Sequence, residues 1–267
     1  MLKNVFLKTL RDKRKAIFWW AIGITIFLLY ICFAYPYIQK STVDWNEMFA
    51  QLPEGLQAAV LGENIDLASA EGFFNAEVFN LALPILLLIF AIGFGSSIIL
   101  REEEEGTLDL LLSNPITRRR VLIEKYLAMT GLVFILGIVV WACIVLFSKI
   151  FGFELGMMRV AAATLSAVLL GLAFGTLALM LGCLTGKRGL SIGVASAIGI
   201  ASYFINSMSL VIKALEPVRG LSLFYYHVSP DPLRNGFSIK HSLVLFLISA
   251  IFLLVSLFAF QRRELKG

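Results

Sequence analysis

The sequence predicts an all-α polytopic membrane protein, with six transmembrane helices in a single domain that covers residues 1–267. Composition is the first reason, because 59% of the residues are apolar and the mean hydropathy is +0.86. Only 15% are charged, against about 25% in a soluble globular domain. The second reason is patterning, since long uncharged runs alternate with short charged ones. A soluble core has no way to bury this much apolar surface.

Each uncharged run is close to or above the ~20 residues that a helix needs to cross ~30 Å of hydrocarbon. Alternating segments of about 10 residues, which would indicate a β-barrel, do not occur in the sequence. The predicted spans are residues 16–38, 79–100, 121–147, 160–185, 190–212 and 242–260. Glu124 and Lys125 fall in the first turn of the third span, and we expect both side chains to snorkel to the interface.

The amino terminus, residues 1–15, is basic and precedes an apolar run, as in a signal peptide. The run is too long for a signal peptide and no A-x-A cleavage pattern follows it, so we expect a retained first span. Cys32, Cys143 and Cys183 lie far apart within apolar runs. They indicate buried small side chains rather than redox or metal chemistry.

The distribution of Lys and Arg predicts that both termini are cytoplasmic. With that orientation, 16 of the 23 basic residues lie inside, in the amino terminus, the loops after the second and fourth spans, and the carboxyl terminus. The positive-inside rule counts these residues and largely ignores acidic ones. Residues 101–120 are then cytoplasmic, and residues 39–78 and 213–241 form the two substantial extracytoplasmic loops.

Motifs for chemistry are missing from the sequence. It contains no GxxxxGK[ST] phosphate loop, no HExxH and no CxxC pair, so we predict no catalytic residue, no metal site and no cofactor bound by this chain. His227, Ser229 and Asp231 are close in sequence, but an interfacial loop is the better interpretation than a triad. The spans lack an ionisable relay. Energy for uphill transport would therefore enter from outside the membrane, although sodium coupling through carbonyls and hydroxyls stays open.

The charged segment REEEEGTLDLLLSNPITRRR, residues 101–120, follows the second span. Thr107 is placed to cap a short helix, on which Leu108, Leu111 and Leu112 share one apolar face. Pro115 ends that helix, and Thr117 is placed to cap the next. Two interpretations stay open: the glutamates pair with Arg118–Arg120 in a solvated loop, or the leucine face is a partner site.

This segment, with the VLIEKYLA that follows, resembles the cytoplasmic segment of type-2 ABC transporter permeases. The pattern E-x-x-x-G-T-L, two leucines and S-x-P-I/V-S/T-R links the second and third of six spans in that family. The matching residues are Glu102, Gly106, Thr107, Leu108, Leu111, Leu112, Ser113, Pro115, Ile116, Thr117 and Arg118. The stretch LPEGLQAAVLG and the ending FQRRELKG are also similar to the family.

The resemblance implies a cell-membrane permease whose residues 101–120 contain a coupling helix that docks on a separate ATPase subunit. ATP and magnesium would then bind the ATPase, and residues 1–15 would form an amphipathic interfacial helix. The working unit would contain a second permease copy, as a homodimer or heterodimer, and two ATPases. The partners are these subunits and the lipid bilayer, with no nucleic acid.

The resemblance also implies that the second and fifth spans of two protomers line the transport path, and the sequence supplies the faces. Phe90, Phe94 and Ser97 share one face of the second span. On the fifth span, Ser202, Asn206 and Ser209 share a face, with Tyr203 beside them. Such an uncharged path suits an amphipathic or lipophilic substrate such as a drug, peptide or lipid. The alternative is that Asn206 and the serines only bond across helices.

Small residues on the fourth span predict close packing against a neighbouring helix. The stripe consists of Ala167, Gly171, Gly175, Ala178 and Gly182.

In the charged segment, we expect neutralisation of Glu103 alone to matter little, because an exposed ion pair contributes only ~0–1 kcal/mol.

The leading hypothesis is therefore the membrane-spanning subunit of an ATP-driven exporter. The alternative is a membrane sensor or an assembly partner of an ATPase that transports nothing. An intramembrane enzyme is disfavoured by the missing chemical groups.

Overall fold

The computed structural model describes residues 4–40, 51, 69–107 and 116–263. These residues are almost entirely helical, and no strand occurs among them. Six of the helical segments are long and apolar enough to cross a membrane. They are the first span Val5–Lys40, the second span Ala70–Ser97, the third span Arg118–Phe151, the fourth span Met157–Thr185, the fifth span Arg188–Met208 and the sixth span Ile239–Arg262.

The first span begins much earlier than predicted. Residues 5–40 form one continuous helix, so the described part of the predicted interfacial segment, residues 1–15, is helical and runs on into the first span. Its position at the membrane interface stays a prediction. The reason is local, because Lys and Arg are good helix formers and no Gly or Pro interrupts the chain before Gly23. The first backbone N–H groups are also satisfied, since Glu124 Oε2 accepts from Val5 N at 2.8 Å and from Phe6 N at 3.3 Å.

The second span begins nine residues before its predicted start at Phe79. A short helix, Ala70–Phe74, leads into a π-helical turn, Asn75–Phe79, and then into the main helix Ala82–Ser97. Ser69 caps this entry by accepting a hydrogen bond from Gly72 N at 3.2 Å. The aromatic rings of the entry pack against Tyr35 of the first span. Tertiary packing therefore makes helix from residues that hydropathy assigns to a loop.

The third span begins where the sequence predicts. Thr117 Oγ1 accepts a hydrogen bond from Arg120 N at 3.3 Å, which confirms the predicted cap. The helix ends at Gly152, whose φ of 75° places it in the left-handed region. Gly186 ends the fourth span in the same way, with a φ of 66°. Both glycines end their helices in a conformation that side chains disfavour.

The fourth span is the centre of the bundle, and its small-residue stripe packs against the second span as predicted. An added Cβ at Gly171 would lie 3.2 Å from Leu87 Cβ, and one at Gly175 would lie 3.0 Å from Ala91 Cβ. In the opposite direction, a Cβ at Gly95 would overlap the carbonyl of Gly175. The two backbones therefore approach so closely that only small residues fit between them.

The segment between the fifth and sixth spans is folded rather than extended. It contains a 3₁₀ helix, Lys213–Leu221, and two short helices, Tyr225–Val228 and Pro232–Asn235. Phe224, His227 and Leu233 are buried. The ring of His227 bonds to Ser166 Oγ and to the carbonyl oxygen of Phe79. The geometry ties this segment to the second and fourth spans and does not assemble a triad with Ser229.

Candidate coupling site and substrate groove

Four consecutive glutamates, Glu102–Glu105, follow the second span and form what we call the glutamate cluster. Each member pairs with a different part of the chain. Glu103 binds Arg263 after the sixth span at 2.6 Å, and Glu104 lies 3.9 Å from Arg188 at the start of the fifth. Glu105 pairs with Arg101 of its own helix at 2.7 Å. The cluster therefore joins the ends of several spans.

Glu102 connects the cluster to two further spans. Its carboxylate forms an ion pair with Lys125 of the third span and lies 3.9 Å from Lys8 of the first helix. The interpretation in which the glutamates pair with Arg118–Arg120 is wrong for the residues that the structure describes. Arg120 pairs instead with Glu124 at 2.7 Å.

Lys125 does not snorkel, contrary to the sequence-based expectation. The residue is 3% exposed, and its ammonium donates a hydrogen bond to Ile98 O at 2.7 Å. That carbonyl lies at the interruption between the helices Ala82–Ser97 and Leu100–Glu104. Lys125 therefore satisfies a free carbonyl and a carboxylate together, which explains how a buried ammonium is stabilised.

Arg263, at this same end of the bundle, also contacts several spans. Besides binding Glu103, its Nη1 donates to Gly182 O near the end of the fourth span at 3.4 Å. Its own backbone carbonyl accepts a hydrogen bond from Arg118 Nη1 at 2.8 Å. One arginine thus connects the glutamate cluster to the third, fourth and sixth spans. Its signal in the sequence is the charged ending after the last apolar run, but nothing there identifies its partners.

The exposed pair of Arg101 and Glu105 differs from the buried pairs. The hydrogen bond from the Arg101 guanidinium, reinforced by its charge, holds the pKa of Glu105 below its ordinary value. The same contact raises the pKa of Arg101. Both side chains are more than half exposed, so solvent screens the pair and its contribution to stability is small.

The predicted coupling residues divide into two groups. Thr107 N donates to Glu102 O at 2.8 Å, and Gly106 has a φ of 67°, so these two residues end the short helix Leu100–Glu104. Arg118 begins the third span. The remaining four, which are Leu108, Leu111, Leu112 and Pro115, lie outside the described residues. The predicted helix that Thr107 would cap lies there too.

The predicted path residues of the second span face the first span. Phe90 packs edge-on against Trp20 with ring centroids 5.6 Å apart. Phe94 lies under the ammonium of Lys13, which is 5.1 Å from the ring centroid. Ser97 Oγ donates to Phe94 O at 3.0 Å. All three side chains are buried within the single chain.

The polar residues of the fifth span also turn inward. Ser202 Oγ lies 2.9 Å from Ser222 Oγ and accepts from Leu223 N at 2.9 Å. Asn206 Oδ1 accepts from Arg219 Nε at 3.2 Å. Ser209 Oγ donates to Asn206 O at 2.7 Å. The contacts of Ser202 and Asn206 match the alternative in which the polar groups bond across elements, whereas Ser209 bonds within its own helix end. Within the single chain, these residues do not meet Phe90 and Phe94.

A groove does run between the second and fifth spans, but on a different face. Its volume is about 500 Å³, and we call it the second–fifth groove. Its lining is Leu81, Ile85, Leu88, Ile89, Ile92, Ser196, Gly199, Ile200, Tyr203, Phe204 and Phe224. Tyr203 is the one predicted path residue among them. The sequence does contain a signal for this groove, because Ser196, Gly199, Ile200 and Tyr203 recur at helical spacing. These residues are uncharged, so they do not stand out from the rest of an apolar span.

Among the described residues, no group of three or more His, Cys, Asp or Glu side chains is arranged to hold a metal ion. The six spans define a polytopic membrane protein. Its most distinctive site is the glutamate cluster, whose ion pairs join the ends of several spans. The sequence matches the ABC-2 family of transporter proteins over residues 3–265, and the chain belongs to that family. It is a multi-pass permease, the membrane subunit of an ABC transporter. No curated protein matches the chain.

Proposed function

We propose that this permease exports an amphipathic or lipophilic compound, using ATP that a separate subunit hydrolyses. The observation that supports coupling to such a subunit is the glutamate cluster. Through Lys8, Lys125, Arg188 and Arg263, it is connected to the first, third, fifth and sixth spans. A partner that pushes on residues 101–120 therefore acts on the ends of four spans.

The ion pairs of the glutamate cluster differ in how far their side chains are buried, and the more buried pairs should transmit movement better. The Glu103–Arg263 pair has side chains only 13% and 16% exposed, and Lys125 is buried. Breaking a pair that is largely removed from solvent leaves an uncompensated charge, at a cost of about 1–3 kcal/mol. The contact of Glu104 with Arg188 is exposed and long, so it contributes little. Movement of the cluster would thus displace the third and sixth spans first.

The second–fifth groove supports the substrate class. Its lining is aliphatic and aromatic, with Ser196 and the Tyr203 hydroxyl as its polar groups. A volume of about 500 Å³ falls within the range of small-molecule sites. Since the described residues of its lining include no charged one, the groove suits a lipophilic or amphipathic compound better than a small ion.

The working unit in this proposal contains two permease copies and two ATPases, with ATP and magnesium on the ATPases and no catalytic role for this chain. The protein lies in the cell membrane with the glutamate cluster and both termini in the cytoplasm. The uneven distribution of Lys and Arg, with 16 of the 23 on the cytoplasmic side, supports this orientation. Cysteines introduced at Glu54 and Gly267 test it: an impermeant reagent on intact cells should label the first and spare the second. The reverse labelling would overturn the orientation.

Purification in mild detergent from the native host, with identification of the chains that co-purify, tests the function. We expect an ATPase to co-purify and lipophilic compounds to stimulate its ATP hydrolysis in vesicles. An associated ATPase that no compound stimulates would favour the sensor or assembly role. Purification without any ATPase would contradict the proposal.

A further inference from the structure

A polar cavity lies beside the glutamate cluster, between the first and second spans. Its volume is about 440 Å³. Its charged lining residues are Asp12, Lys13 and Lys15 of the first span, Arg101, Glu102 and Glu105 after the second span, and Lys125 of the third. The cavity is distinct from the second–fifth groove, which has none of these residues. The proposed export function does not require it.

The charges of this cavity are unevenly satisfied. Lys125 pairs with Glu102, and Arg101 pairs with Glu105. Lys13 has no such ion pair within the part of the chain that the structure describes, and its ammonium lies over the Phe94 ring instead, 5.1 Å from the centroid. Lys15 is a further exposed cation in the lining, and Asp12 is the one acidic residue of the described lining outside these two pairs. The cavity thus retains positive charge for an anionic ligand.

An apolar groove lies between the same two spans, further along the first span from its amino terminus. Its volume is about 600 Å³, and its lining is Trp19, Trp20, Gly23, Ile24, Phe27, Leu81, Ala82, Ile85 and Leu86. Rings connect it to the polar cavity, because Phe94 packs on Phe90 and Phe90 packs on Trp20. At 1.5 Å per residue, Gly23 lies about 15 Å along the helix from Lys13. The two spaces follow one another along the first span, the charged one nearer its amino terminus, and together we call them the cleft.

We infer that this cleft binds an anionic membrane lipid. The phosphate would lie beside Lys13 and Lys15 at the level of the headgroups, and an acyl chain would follow the groove past Trp19 and Trp20. Basic cavities between membrane helices suit anionic headgroups, and long basic side chains reach the interface readily. The order of the two spaces along the first span matches that of a lipid, with the charge at the interface and the apolar part within the bilayer.

Tryptophan fluorescence provides a direct test, because Trp19 and Trp20 line the apolar groove. We would use the full chain with Trp45→Phe and Trp141→Phe, in vesicles of phosphatidylcholine with a small fraction of lipid brominated on its acyl chains. Brominated phosphatidylglycerol should quench more strongly than brominated phosphatidylcholine at equal fraction. Equal quenching by the two lipids would overturn the inference.

Two double variants separate a site from general surface charge. Lys13→Gln with Lys15→Gln should lower the preference for phosphatidylglycerol by up to about 25-fold, since each cation contributes roughly fivefold in affinity. Arg11→Gln with Arg14→Gln removes the same charge from exposed positions outside the cavity lining and should leave most of the preference. An equal loss in both double variants would contradict a specific site.

Two further measurements examine the acyl chain and the source of the phosphate. Gly23→Leu adds a side chain where the structure has open space, so the protein should fold while quenching by brominated phosphatidylglycerol decreases. Unchanged quenching would show that no chain enters the groove. Soluble glycerol phosphate should not reverse the quenching. Reversal would assign the cavity to a free phosphate ester and overturn the lipid.

Discussion

Arg263 Nη2 lies 2.6 Å from Glu103 Oε1, although the two residues are 160 positions apart in sequence. The pair connects the segment after the sixth span to the segment after the second. Its side chains are 16% and 13% exposed. The expectation that Glu103 forms only an exposed, weak pair is therefore wrong, because both charges are largely removed from solvent and depend on each other.

We predict that Arg263→Ala destabilises this end of the bundle by about 1–3 kcal/mol, because Glu103 and the Gly182 carbonyl lose their donor. The measurement is the thermal unfolding midpoint in detergent. Arg262→Ala serves as the control, since Arg262 is the exposed neighbour and should change the midpoint little. The additional change Glu103→Gln should recover part of the loss. Equal midpoints for the two arginine variants would contradict the structural role of the pair.

The close contact between the second and fourth spans predicts a steric effect. Gly175→Leu should prevent native packing, because even a Cβ there lies 3.0 Å from Ala91 Cβ and 3.0 Å from its carbonyl oxygen. Overpacking typically costs about 1–3 kcal/mol, and backbone contacts leave little room for relaxation. The effect on packing is measured by the yield of monodisperse protein after purification. Gly131→Leu, at a position with open space, is the control and should fold. A normal yield of Gly175→Leu would disprove the close approach.

His227 predicts a stability that depends on pH. Its Nε2 lies 2.8 Å from Phe79 O, and Nδ1 lies 2.9 Å from Ser166 Oγ. A carbonyl only accepts, so Nε2 carries the proton and Nδ1 accepts from the serine. Burial lowers the pKa of His227 from 6.5 to about 4, since the cation would lose its hydration.

The sign follows from that lowered pKa. The unfolded chain binds the proton below about pH 6.5, whereas the folded protein binds it only near pH 4. The free energy of unfolding therefore decreases as the pH is lowered from 6.5 to 4. The full loss is about 3 kcal/mol. Unfolding midpoints measured from pH 7 to pH 4 should decline more steeply in the wild type than in His227→Gln. His241→Gln, in the more exposed histidine, should retain the wild-type slope. A slope that persists in His227→Gln would refute this assignment.

The six spans were predictable because hydropathy over about 20 residues reports burial in lipid directly. The cap at Thr117 and the small stripe on the fourth span were predictable because each depends on a local pattern. Partners of the glutamate cluster were not predictable, because Arg263 and Lys8 reach it only after the bundle folds. The same holds for Glu124, which satisfies the start of the first helix from 119 positions away.

The transport path stays a prediction, but its polar residues on the fifth span show a different limit of the sequence. Periodicity correctly placed Ser202, Asn206 and Ser209 on one face of the fifth span, but it does not say what that face meets. In the structure, the face meets the segment after the fifth span, including Ser222 and Arg219. A polar stripe within a membrane span has the same pattern whether it lines a path or satisfies a neighbouring loop.

The coupling prediction rests on the apolar face of Leu108, Leu111 and Leu112 in the sequence and stays a prediction. Leu111→Asp should release or uncouple the ATPase while the permease remains in the membrane. Burial of a leucine contributes roughly 1.5–3 kcal/mol, so ATPase affinity should fall about tenfold or more. Co-purified ATPase per permease is the measurement. Glu105→Gln is the control, because its pair with Arg101 is exposed. Unchanged co-purification of Leu111→Asp would exclude the leucine face as the docking site.

The second–fifth groove and the polar face of the fifth span make opposite predictions about substrate. Ile200 is 61% exposed and lines the groove, so Ile200→Ala should change which compounds stimulate ATP hydrolysis and leave assembly intact. Ile198→Ala is the matched control, because Ile198 is exposed on the same helix but lies outside the groove lining.

The polar face of the fifth span should matter for stability instead. Asn206→Leu removes the acceptor of the Arg219 Nε–H bond and should lower stability by about 1–3 kcal/mol, as loss of a buried hydrogen-bond partner does. The Asn206→Leu protein that does assemble should keep the wild-type compound profile. If Asn206→Leu changes the profile at full stability while Ile200→Ala does not, the substrate follows the polar face and the groove is only a surface toward lipid.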